Sequence, residues 1–78
     1  MKQGFTYQVA PKLIREAPGM TAPEVAVLAL NRGLCQSDAS DPVFSLASSL
    51  AKMVRDGLHT EVRREFINKW RYYPMPGN

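Results

Sequence analysis

Prolines and glycines mark helix starts and stops so closely in this chain that they dictate most of its secondary structure. Pro11, Pro23 and Pro42 each stand near the beginning of an apolar pattern of helical period, and Pro18-Gly19, Gly33 and Gly57 each close one. Proline has no amide hydrogen, which the first helical turn leaves unbonded in any case, and glycine takes the left-handed conformation that ends a helix. Three short helices are therefore predicted. The first lies within residues 6–17, where Ala10, Leu13, Ile14 and Ala17 recur on one face and Thr6 is a candidate N-cap. The second opens on the capping box Thr21-Ala22-Pro23-Glu24, in which hydroxyl and carboxylate each satisfy an orphan amide; Val25, Ala26, Leu28, Ala29 and Leu30 give it a broad apolar face. The third opens on Asp41-Pro42. Val43, Leu46, Ala47, Leu50 and Val54 lie on one side of it, and Ser45, Ser48, Ser49, Lys52 and Arg55 on the other. Gln36 to Ser40 are polar and read as a loop.

After Gly57 the period changes. Leu58 to Phe66 reads as a strand, Ile67-Asn68-Lys69 as a turn, and Trp70 to Tyr73 as a second strand ended by Pro74. Gly19-Met20-Thr21 supplies a third, minimal strand. The predicted fold class is α+β and mainly helical: a winged helix-turn-helix, three helices followed by a β-hairpin wing. With 78 residues there is length for a single domain only, residues 1–78. Its core is expected over about residues 6–74, and a chain this short buries roughly 60–65% of its unfolded surface.

Thr21-Ala22-Pro23-Glu24-Val25-Ala26, followed by Ala29 and Arg32-Gly33-Leu34, resembles the second helix of the HARE-HTH family, and Pro42, Ser45-Leu46, Leu50 and Val54 look like its third. The resemblance covers residues 13–58 and consists mostly of capping and core positions. It implies a winged-helix module of the kind found in restriction endonucleases, chromatin factors and bacterial regulators, with nucleic-acid binding as the usual role. The hairpin departs from that family's glycine-containing wing: Asn68 stands at the turn, and no glycine lies between Leu58 and Pro76.

The net charge of +3 lies entirely in residues 51–78, where Lys52, Arg55, Arg63, Arg64, Lys69 and Arg71 face only Asp56, Glu61 and Glu65. A basic surplus at one end points to a polyanion partner, double-stranded DNA being the expected one. On the third helix, Ser45, Ser48 and Ser49 are small enough for close approach to a groove and can hydrogen-bond phosphates or bases, and Lys52 and Arg55 reach phosphates. The alternative is a plain solvated helix face. On the hairpin, Arg63, Arg64, Lys69 and Arg71 are the expected DNA contacts, against the alternative of a charged edge that resists aggregation. Arg63 and Arg64 are consecutive in a strand and so point to opposite faces. Phe44 is expected in the core rather than against a thymine methyl. Phe5, Tyr7, Trp70, Tyr72, Tyr73 and Met75 either form a dimer interface or close the bottom of a monomeric core.

Other chemistries find little support. Cys35 allows no internal disulfide and points to a reducing cytoplasm, and it reads as a half-buried thiol rather than a nucleophile. His59 reads as structural or as a neighbour of phosphate rather than as an acid–base group. The carboxylates lack a paired spacing for acid–base work, the glycines form no phosphate loop, and Cys35 with His59 is too few ligands for zinc. No cofactor, metal, small-molecule ligand or membrane span is expected, nor a signal peptide, and the chain does not read as an enzyme. The expected function is sequence-specific duplex DNA binding by a complete small protein: a bacterial, plasmid or phage repressor, acting as a homodimer and occluding a promoter. The alternative is a winged-helix protein–protein adaptor without DNA binding.

Overall fold

A computed structural model describes residues 4–76; expectations for Met1 to Gln3 and for Gly77 and Asn78 lie outside it. The order is a π-helical segment (Gly4–Val9), α1 (Ala10–Glu16), β1 (Met20–Thr21), α2 (Ala22–Asn31), α3 (Pro42–Arg55), β2 (Val62–Ile67) and β3 (Lys69–Pro74). About half of the chain is helical, and the three strands form one antiparallel sheet in the order β1-β3-β2. The fold is α+β, with the three helices and the hairpin in the expected order.

The helix ends are set by local chemistry. Thr21 accepts from the Glu24 amide at 3.4 Å and the Glu24 carboxylate accepts from the Thr21 amide at 2.9 Å, which completes the capping box of α2. The Asp41 carboxylate accepts from the Phe44 amide at 3.1 Å and caps α3. At the other end of α2, the Gly33 amide donates to the Leu30 carbonyl and Leu34 to Ala29; Gly57 and Leu58 do the same for α3 with Val54 and Met53. Both are Schellman closures, and the glycine in each takes a positive φ, 68° at Gly33 and 74° at Gly57. Thr21→Ala removes one cap acceptor and is expected to cost about 1 kcal/mol, read as a lowered denaturant midpoint with an unchanged slope.

The start of α1 differs from expectation. Thr6 caps nothing; it lies inside the π-helical segment, and the α1 N-cap, Val9, makes no side-chain cap bond. The reason is Pro11. It cannot donate to the Tyr7 carbonyl and its ring crowds that oxygen, so the turn upstream widens instead of starting afresh from a cap. The second difference is at the hairpin. Leu58 to Glu61 are not strand, because the Leu58 amide is already engaged in closing α3 and the Glu61 amide donates to His59 Nδ1 at 3.2 Å. The ladder therefore begins at Val62.

The core is built from small residues at close range. Ala10, Leu13 and Ile14 of α1, Ala22, Val25, Ala26 and Ala29 of α2, and Ala47 and Leu50 of α3 are buried together with Phe5, Val62 and Tyr72. Val43, Leu46 and Val54 pack at its margin. His59 is buried as well, and its ring ties two chain segments together. Since Nδ1 accepts from Glu61, Nε2 carries the hydrogen and donates to the Thr6 carbonyl at 2.8 Å, locking the N-terminal segment to the base of the hairpin. The structural reading of His59 is the one its geometry supports.

Candidate nucleic-acid interface

The hairpin register sorts its side chains. Arg64 stands opposite Tyr72, Phe66 opposite Trp70 and Val62 opposite Pro74, so these share one sheet face, and Arg63, Glu65, Ile67, Lys69, Arg71 and Tyr73 share the other. Arg63 and Arg64 do point apart. On the inner face Val62 and Tyr72 enter the core, whereas Arg64, Phe66 and Trp70 continue past it. Asn68 makes the turn alone, with a φ of 68°. Asparagine tolerates the left-handed region better than most residues with a side chain, which is how the hairpin closes without glycine.

Between the hairpin and the helices runs an open groove of about 500 Å³, lined by Thr21 to Glu24 at the start of α2, Ala51 of α3, and Arg64, Lys69, Trp70 and Tyr72 of the hairpin. Ala51 sits one turn from Ser48 and one turn from Arg55, so this row of α3 forms the rim of the groove. Ser48, Ser49, Lys52 and Arg55 are exposed, and Ser45 is half-buried. Arg55 lies 3.1 Å from Asp56, an exposed pair that holds the guanidinium only weakly.

The hairpin cations divide by role. The Arg64 guanidinium lies over the Trp70 ring, 3.9 Å from its centroid, and borders the groove together with Lys69. Arg63 faces the other way, pairs with Glu65 and lies 5.0 Å from the Tyr73 ring centroid. Arg71 is half-buried and donates to the Gly19 carbonyl and to the Ile67 carbonyl, both at 3.1 Å, so it braces the sheet and the turn. Of the nine residues expected at the interface, Arg64 and Lys69 line the groove; Ser48 and Arg55 stand on the helical row of Ala51 at its rim, Lys52, Ser45 and Ser49 turn progressively away from it around α3, and Arg63 and Arg71 lie on the sheet face away from Arg64.

Phe44 corrects the sequence expectation. It is 69% exposed rather than in the core. It lies four residues before Ser48 on the same helical row, a spacing that sequence alone could have used to place it outside the apolar stripe. Phe66, 63% exposed, is a second outward aromatic, which the strand pattern alone does not reveal. Among the aromatics weighed as interface or core, Phe5 and Tyr72 are buried within the single chain, and Tyr73 is half-buried. Trp70, Tyr7 and Met75 are exposed, and Tyr7 stacks against His59.

Burial pushes the Cys35 thiol up, away from thiolate character. Among the described residues no grouping of three or more His, Cys, Asp or Glu could hold a metal ion, and no helix is long and apolar enough to cross a membrane. Burial also raises the Tyr72 phenol above its ordinary value, while the charge and hydrogen bonding of Arg64 pull it down. A raised folded pKa means the unfolded chain ionises first. Tyr72 therefore favours the fold below the ordinary tyrosine pKa of about 10, and that contribution fades as pH rises through the folded value. Absorbance titration should show one of the three tyrosines ionising late, together with loss of fold.

Comparison of the chain with known protein families, curated proteins and solved structures gives no match.

Proposed function

We propose that this chain is a winged-helix protein that binds double-stranded DNA, with α3 entering the major groove and the β2–β3 hairpin serving as its wing. The observation that carries the reading is the groove itself. Its rim on α3 presents Ser48 and Arg55, on the helical row of Ala51 and with no carboxylate between them, and its opposite wall presents Arg64 and Lys69. The one carboxylate lining it, Glu24, is already engaged by the Thr21 amide. Small hydroxyl residues on a helix flanked by cations suit close approach to base edges with phosphates on either side. The order of helices and hairpin supports the same reading, and the HARE-HTH resemblance is part of this proposal rather than independent support for it.

A single module of this size buries little interface, so tight binding calls for two copies on half-sites about one helical turn apart. Promoter occlusion needs only affinity and position, and a small repressor working in a reducing cytoplasm is the simplest use. A protein-binding adaptor is the second reading, favoured by the exposure of Phe44, Leu58 and Phe66.

Amide chemical shifts recorded during titration with mixed-sequence duplex DNA test the two. The DNA reading predicts that the shifts concentrate in α3 and around Arg64 and Lys69. Absence of any shift at low salt rejects DNA binding and leaves the adaptor.

A further inference from the structure

The tip of the hairpin is more apolar than a phosphate grip requires. Phe66 is 63% exposed, Ile67 48% and Trp70 45%, three large side chains at a one-residue turn, Phe66 and Trp70 on one sheet face and Ile67 on the other. They are not needed to seal the core, which Val62 and Tyr72 already close nearer the base. They are also held in place rather than loose. Phe66 meets Trp70 edge-on, with ring centroids 5.2 Å apart at 68°. Arg64 covers one face of the Trp70 ring, and Arg71 fixes the turn through the Ile67 carbonyl.

We propose that this tip is an apolar wedge that enters a base step of duplex DNA and unstacks it. The proposal rests on the duplex-binding reading above and specifies what the hairpin does there. Two features select nucleic acid over a second copy of the chain as the occupant. Arg64 and Lys69 flank the apolar cluster, which suits a partner whose bases lie between two rows of phosphates. A symmetric copy would set like charges against each other at the same place. The nearest acid, Glu65, lies on the sheet face away from Phe66 and Trp70 and is paired with Arg63. Rigid apolar side chains presented between cations are the means by which minor-groove proteins part a base step and bend the duplex.

The test uses a duplex of about 25 base pairs with 2-aminopurine beside a central TpA step, a type that unstacks easily, and a donor–acceptor dye pair at its ends. Binding of the full chain should raise the 2-aminopurine fluorescence and bend the duplex by roughly 20° or more. Phe66→Ser should lose both signals while keeping the salt slope of binding, because that slope counts phosphates and not bases. Phe66→Trp should keep both signals. Duplex binding by the wild type with neither signal overturns the wedge and leaves the DNA reading standing, whereas no binding overturns both. If Phe66→Ser leaves the signals unchanged, or merely converts a dimer to a monomer in sedimentation, the wedge is overturned too.

Discussion

Leu50→Ala is expected to remove much of the stability of the fold. Leu50 is fully buried on the inner face of α3, in the core shared by all three helices and the sheet. Truncation of such a leucine costs about 2–5 kcal/mol, the cavity adding to the lost transfer energy. A domain of this size holds only about 5–10 kcal/mol, so much of its stability goes with one side chain. At about 4–8 °C per kcal/mol, the melting temperature should fall by roughly 10 °C or more. Calorimetry checks this directly. An unchanged melting temperature would mean that the inner and outer faces of α3 are reversed, and with them the face offered to DNA.

The second large effect is on binding. Ser48→Glu places a carboxylate on the exposed row of α3 beside Ala51, at the rim of the groove. Glutamate is a good helix former and Ser48 is not part of the core, so stability should barely change. Duplex affinity should fall on the order of tenfold or more, since like charges brought together at an interface cost up to several kcal/mol. Fluorescence anisotropy with a labelled duplex measures it. Equal affinity for Ser48→Glu and wild type would remove α3 from the interface.

What could be read in the sequence was what local chemistry decides. Thr21 with Glu24, Asp41 with Pro42, and the two closing glycines act within four or five residues of themselves, and each cap formed as its spacing implies. The opposite facing of Arg63 and Arg64 followed from strand geometry alone. What could not be read depended on distant partners. His59 is defined by Thr6, 53 positions away, and Arg71 by Gly19, 52 positions away. Nothing near Arg71 in sequence separates a brace from a phosphate contact. Arg64 belongs to the groove, and Arg63 does not, because the core lies on one side of the sheet only. The exposure of Phe66 follows from the hairpin outrunning that core, which depends on where Val62 and Tyr72 seal it.

The central claim is that the cations around the groove meet a phosphate backbone, and salt dependence of binding to mixed-sequence duplex reads this most directly. The expected result is binding at low salt whose log affinity falls linearly with log salt, by about 0.9 per phosphate contacted, with Lys52→Ala reducing the slope by about 1 for every sequence tried. Binding that is absent at low salt, or whose slope is the same for wild type and Lys52→Ala, would contradict it.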